Sequence, residues 1–207
     1  MTARTIKVYS DYKSPYAYLA KDLVYGLERE TGVVVDWLPY TLDIPAYLGS
    51  AKVDAAGNVV EADRNAHQWR RVKYSYMDCR REASRRGLTI LGPRKIFDSS
   101  LANIGGLYAK RYGVFRGYHD RVFERFWRRE LDIESSSALA AVLSKCGADT
   151  NGFGAFLEGE GRRELEEIMR EAEHAGVFGV PSFLLDDGDL YWGREHLPRL
   201  RDLMAHR

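Results

Sequence analysis

The chain opens with an alternation of apolar and polar positions, Ile6-Lys7-Val8-Tyr9, and this period of two predicts a short strand. Ser14-Pro15 follows as a helix cap with proline at the first helical position. Leu19, Ala20, Leu23, Val24 and Leu27 then fall at helical spacing as far as Gly32, which suits the C-terminal stop. Val33-Val34-Val35-Asp36-Trp37-Leu38 is β-branched and aromatic and predicts a second strand. A strand, a helix and a strand in this order make a right-handed parallel crossover.

The middle of the chain has a different pattern. Leu42 to Asn65 reads as irregular, broken at Gly49 and at Gly57-Asn58. From His67 to about Gly176 nearly everything takes the helical period, in segments 69–86, 101–112, 118–129, 138–146 and 162–175. Ser135-Ser136-Ser137 and Gly147 bracket one of them with start and stop signals. Strands return at Ser182-Phe183-Leu184-Leu185 and Leu190-Tyr191-Trp192, joined through Asp186-Asp187-Gly188-Asp189, a hairpin signal. A last helix is expected over 194–205. The order is βαβ, a long helical block, then ββα. That is a thioredoxin-like α/β arrangement with a large all-helical insertion, core 1–42 and 177–207, inserted domain 43–176.

Composition narrows the function classes. Of 207 residues, 45% are hydrophobic and 29% charged, which is ordinary for a globular chain and excludes disordered and low-complexity classes. Lys plus Arg is 31 and Asp plus Glu is 30, for a net charge of +1, which argues against a nucleic-acid partner. No stretch approaches the length of a membrane helix and residues 1–10 carry no apolar signal core, so a cytoplasmic protein without membrane contact is expected. The runs Arg70-Arg71, Arg80-Arg81, Arg85-Arg86 and Arg128-Arg129 read as solvated helix faces. His67, His119, His174, His196 and His206 show no paired metal-ligand spacing, and no metal is expected.

The chemistry concentrates at two places. In a thioredoxin-like chain the active site lies at the N-terminus of the first helix, where a redox enzyme carries two cysteines. Here those positions hold Ser14 and Ala17, so thiol–disulfide exchange has no sulfur to run on. The free N–H groups of a helix N-terminus favour a negative charge, and a serine hydroxyl can donate one more hydrogen bond. Ser14 is therefore suited to lowering the pKa of a thiol brought by a ligand, or it is simply the helix cap. The second place is Gly176-Val177-Phe178-Gly179-Val180-Pro181-Ser182-Phe183. A proline directly before a strand cannot donate to the ladder. A cis bond at Val180-Pro181 would turn the free backbone of Val180 toward an extended, peptide-like ligand.

Ser14-Pro15-Tyr16-Ala17-Tyr18-Leu19-Ala20 and the Val180-Pro181 segment together resemble the signatures of 2-hydroxychromene-2-carboxylate isomerases and kappa-class glutathione transferases. Tyr191-Trp192-Gly193-Arg194-Glu195 is similar to their next motif, and Tyr74, Asp78, Arg81, Ala83 and Gly87 fall at comparable spacings. The resemblance implies a DsbA/kappa-class fold, glutathione as cofactor, an aromatic small-molecule substrate and a homodimer. Ser14 would be catalytic and face the glutathione sulfur. Val180 and Pro181 would meet the cysteinyl part, and Arg194 and Glu195 the γ-glutamyl end. The implied activity is isomerisation of an aromatic unsaturated oxo-acid; a transferase, or a non-catalytic thiol or peptide binder, would use the same groove. Three features depart from the family pattern. Glu195 stands where aspartate is usual, His196 where arginine is usual, and 42–65 replaces a shorter glycine-rich segment. Lys13 is a cation beside Ser14, which would either keep a thiol ionised or point to solvent.

Overall fold

A computed structural model describes residues 4–205. His206 lies outside the described residues. Strand β1 (Thr5–Ser10), helix α1 (Pro15–Thr31) and strand β2 (Val34–Pro39) form the expected parallel crossover, with Thr5 opposite Val34 and Ser10 opposite Pro39. α1 ends at Gly32, whose φ of 70° is the left-handed turn that glycine takes without strain. Near the other end of the chain, β5 (Ser182–Leu185) and β6 (Leu190–Trp192) form the expected hairpin. β5 pairs antiparallel with β1, so the mixed sheet has the order β2-β1-β5-β6.

The alternation of β1 divides its side chains between two cores. Ile6 and Val8 pack with Phe183 and Leu185 of β5, with Val24 and Leu27 of α1, and with Leu197 and Leu200 of the last helix, α9 (Leu197–Ala205). Tyr9 enters the other core with the helical block. That block is α3 (Ala66–Arg85), α4 (Ser100–Arg111), α5 (Phe115–Trp127), α6 (Ser136–Lys145), α7 (Phe153–Glu158) and α8 (Glu160–His174). Tyr118, Phe123, Trp127 and Phe153 fill its centre. The sheet is thus covered on both faces, and the end where β1 runs into α1 lies against the helical block.

Two expectations need correction. Residues 42–65 are not irregular: they hold a short helix, α2 (Ile44–Leu48), and a two-stranded hairpin of β3 (Ser50–Val53) and β4 (Val59–Asp63). Asp43 caps α2 by accepting from Ala46 N at 3.2 Å, and Asp54 closes the hairpin turn by accepting from Asn58 N at 2.9 Å. Every residue of β4 is exposed, so the strand lacks the buried face that produces alternation. The final helix is not continuous from 194. A 3₁₀ turn spans Arg194–His196 and α9 starts at Leu197, because the ring of Pro198 in an α-helix would meet the carbonyl four residues back, that of Arg194.

Candidate active site

The turn after β1 is built by its own backbone and by a buried carboxylate. Ser14 N donates to Asp11 O at 3.0 Å. Both oxygens of the Asp11 side chain are engaged by main-chain donors, Oδ2 by Leu42 N at 2.8 Å and Oδ1 by Lys13 N at 3.3 Å. This ties the β1–α1 turn to the segment after β2. Ser14 then caps α1: its backbone is extended and its Oγ accepts from Ala17 N at 3.2 Å, with Pro15 at the first helical position. Ser14 is 4% exposed. Its hydroxyl proton remains available to a guest, since the cap uses only a lone pair.

The strand register brings the second segment to the same place. Tyr9 pairs with Ser182, so one step further along the antiparallel pair Pro181 comes level with Ser10, beside the turn that leads to Ser14. The Val180–Pro181 peptide bond is cis, as expected. Among the described residues no hydrogen bond is made to the N–H or C=O of Val180. Gly179 allows the loop to pass Trp192: a Cβ there would lie 2.8 Å from Trp192 Nε1. The ring of the exposed Phe178 leans on Trp192 with centroids 4.9 Å apart, so two aromatic rings border this loop.

The third segment is linked to the second by Gly193 N, which donates to Pro181 O at 2.9 Å. Gly193 takes a φ of 105°, and the Glu195 carboxylate curls over it, 2.4 Å from where a Cβ would be. A side chain at 193 would therefore displace Glu195. Glu195 is exposed and has no ion-pair partner among the described residues. Arg194 turns the other way. Its guanidinium lies 5.5 Å from the centre of the Tyr16 ring on the first turn of α1, and its Nη2 is 3.6 Å from Asp78 Oδ2 on α3. Arg194 Nη1 is buried with no partner. The candidate residues Ser14, Val180, Pro181, Arg194 and Glu195 thus all belong to segments that converge on the N-terminus of α1.

Residues 5–205 match the family model of the DSBA-like thioredoxin domain. The chain belongs to this family. It is 28% identical over 202 residues to a 2-hydroxychromene-2-carboxylate isomerase of Sphingobium xenophagum, covering 97% of this chain and 98% of the relative. It is 29% identical over 203 residues to the enzyme of the same name from Pseudomonas putida, covering 97% and 94%. A solved structure of 2-hydroxychromene-2-carboxylate isomerase superposes with a TM-score of 0.75 at 26% identity, covering 97% of this chain and 94% of that one. A probable DsbA oxidoreductase from Streptomyces coelicolor has the same TM-score at 18% identity, covering 99% and 91%, and shows the shared fold.

This DSBA-like chain also contains site residues that the sequence pattern did not single out. Tyr16 and Cys79 pack together, and the Cys79 thiol is pushed up to about 12 by burial, against the opposing effect of the Arg194 charge. Cys79 therefore lies against the site rather than apart from it, as a protonated and unreactive thiol. Tyr16 is likewise raised to about 12, by burial first and then by Cys79. Asp78, noted in the sequence only for its spacing, positions Arg194. Lys13 does not point to solvent: it is 6% exposed, with its Nζ 3.7 Å from Asp11 Oδ2. Among the described residues no helix is long and apolar enough to cross a membrane.

Proposed function

We propose that this protein is a glutathione-dependent isomerase of an aromatic unsaturated oxo-acid, of the 2-hydroxychromene-2-carboxylate isomerase kind. The observation that carries the reading is the pairing of Ser14, at the N-cap of α1, with the cis Val180–Pro181 loop in a first helical turn that contains no cysteine. The names of the relatives that match over almost the whole chain support the isomerase part of the reading.

The residues present fit glutathione. Val180 has main-chain groups free for a cysteinyl backbone, Arg194 Nη1 is a buried donor without an acceptor, and the next residue, Glu195, holds an exposed carboxylate over Gly193. These would hold the peptide, the γ-glutamyl carboxylate and its ammonium. When bound, glutathione would supply a thiolate that adds reversibly to a conjugated carbon, so that the double bond can rotate. The chain's part is to hold that sulfur ionised. Ser14 Oγ accepts from Ala17 N, which leaves its proton to be donated to the sulfur. The N-terminus of α1 adds its positive end. Burial of Ser14 excludes water, so each of these interactions acts in a low local dielectric. Calorimetry with glutathione, followed by a rate assay on 2-hydroxychromene-2-carboxylate, tests the proposal. Binding with turnover supports it; absence of thiol binding overturns it.

A further inference from the structure

His119 on α5 is sealed inside the molecule with one ring nitrogen unserved. It is 2% exposed. The rings of Trp37, Phe115 and Phe123 lie 4.7, 4.8 and 4.8 Å from its own, centre to centre, so packing fixes the imidazole in place. Nδ1 is 3.1 Å from the Tyr12 hydroxyl, while Nε2 is buried with no partner among the described residues. Burial, and then the charges of Lys21 and Lys110, hold the imidazole neutral. A neutral imidazole has one donor nitrogen and one acceptor nitrogen. If the Tyr12 hydroxyl donates to Nδ1, Nε2 carries the proton and lacks an acceptor. If Nδ1 donates to Tyr12, Nε2 lacks a donor. Both tautomers leave the same atom unsatisfied.

Ser10, the last residue of β1, has a similar deficit. Its main-chain oxygen accepts from Tyr40 N at 2.9 Å, but its buried Oγ has no partner among the described residues. Ser10 and His119 line one cavity, between β2 and the helices α4 and α5. The other polar side chains on its wall are engaged elsewhere. Lys110 Nζ donates to Asp36 at 2.7 Å, Asn103 Nδ2 donates to Thr41 Oγ1 at 2.8 Å, and Tyr12 is already the partner of His119. The cavity gives a water's centre about 20 Å³ to occupy, and about 10–15 Å³ on that measure holds one water. A wholly apolar space stays dry, whereas a water that reaches two unpaired polar groups is retained.

We infer that this cavity is a binding site for one water molecule, held between Ser10 Oγ and His119 Nε2. A water both donates and accepts, so it serves either tautomer of His119 and either orientation of the Ser10 hydroxyl. It completes a polar chain that runs from the end of β1 through His119 to Tyr12, two residues before Ser14. The end of β1, α5 and the β1–α1 turn thereby become one hydrogen-bonded unit inside an aromatic box. The inference depends neither on glutathione nor on the isomerase reading.

The experiment is water-selective NMR on the full chain, which detects a long-lived water by magnetisation transfer to the ring protons of His119. Wild type, Ser10→Ala and Ser10→Val are compared, with melting temperature as the folding control and His119→Phe to assign the ring signals. Wild type should show transfer from a water that stays bound for longer than the molecule takes to tumble. Ser10→Val, whose methyl groups fill the space, should abolish it. Ser10→Ala keeps the space but removes one partner, and should weaken the transfer severalfold; it decides the matter if Ser10→Val does not fold. Absence of transfer in wild type would show a dry cavity and overturn the inference. So would transfer of undiminished strength in folded Ser10→Ala, because the water would then not be held by Ser10.

Discussion

Replacing Ser14 by alanine separates the observed cap role of its hydroxyl from the proposed role as thiolate donor. As a cap, Oγ accepts from Ala17 N at 3.2 Å, and loss of such a cap costs about 1 kcal/mol. A domain of ordinary stability, about 5–15 kcal/mol, remains folded after that loss. As the proposed thiolate donor, the same hydroxyl would donate a hydrogen bond to a charged sulfur, an interaction of roughly 1.5–3 kcal/mol. At about 1.4 kcal/mol per pKa unit, this raises the pKa of the bound thiol by about 1–2 units in Ser14→Ala. Turnover at neutral pH then falls by roughly 10- to 100-fold. The cap and donor roles do not compete, because one uses a lone pair and the other the proton. The assay has three parts on the same preparation: melting temperature, the ultraviolet absorbance of the bound thiolate as pH is raised, and the rate on 2-hydroxychromene-2-carboxylate. A small drop in melting temperature together with a raised thiol pKa and a slow rate is the expected set. An unchanged thiol pKa and full activity, with only the melting temperature lowered, would show that Ser14 is a cap and nothing more.

Glu195→Gln should weaken glutathione binding while leaving turnover at saturating glutathione unchanged. The effect should be only about fivefold, since the carboxylate is exposed and screened; unchanged affinity in calorimetry would remove Glu195 from the site. Insulin reduction should be absent in wild type and unaffected by Cys79→Ser or Cys146→Ser, because the first turn of α1 holds no sulfur and the Cys79 thiol is protonated. His119 is held well below its ordinary 6.5 by burial first, and then by the charges of Lys21 and Lys110. The unfolded chain therefore takes up a proton near pH 6.5 that the folded chain refuses. Stability is complete above that pH and should fall below it by up to about 1.4 kcal/mol per pH unit. Urea midpoints across pH 5–7 should slope less in His119→Phe than in wild type, and equal slopes would contradict the assignment.

What could be read from the sequence was what short-range physics determines. The period-two run of β1, the Ser14-Pro15 start of α1, the Gly32 stop and the Asp-Gly hairpin of β5–β6 are local signals, and the structure has them in place. The β3–β4 hairpin was missed because β4 has no buried face, so nothing in its hydrophobic pattern distinguishes it from a loop. The Arg194–Asp78 pair and the packing of Cys79 on Tyr16 join residues far apart in the chain. No spacing rule links them; only the fold brings α3 against the first turn of α1. For Lys13 the sequence left two placements open. A lysine next to a helix start ordinarily belongs to the surface, whereas here it is buried with its Nζ 3.7 Å from Asp11 Oδ2, a neighbour that only the folded turn reveals.

The convergence of these segments bears on which molecule owns the reactive sulfur. A helix N-terminus facing a cis-proline loop stabilises a thiolate through its N–H groups and dipole, and neither depends on whether the thiol is covalently part of the protein. In this chain the one cysteine near that point, Cys79, is buried among Tyr16 and Arg194 and raised to about 12, so it cannot supply the anion at neutral pH. The positions that would carry the redox pair hold a hydroxyl and a methyl group. What remains is an anion-stabilising cradle in which one buried donor, Arg194 Nη1 next to Tyr16, has no acceptor. The Lys13 ammonium on the other side already has the Asp11 carboxylate 3.7 Å away. Under the proposed reading, a γ-glutamyl carboxylate would meet the Arg194 donor while the sulfur lies at the Ser14 hydroxyl.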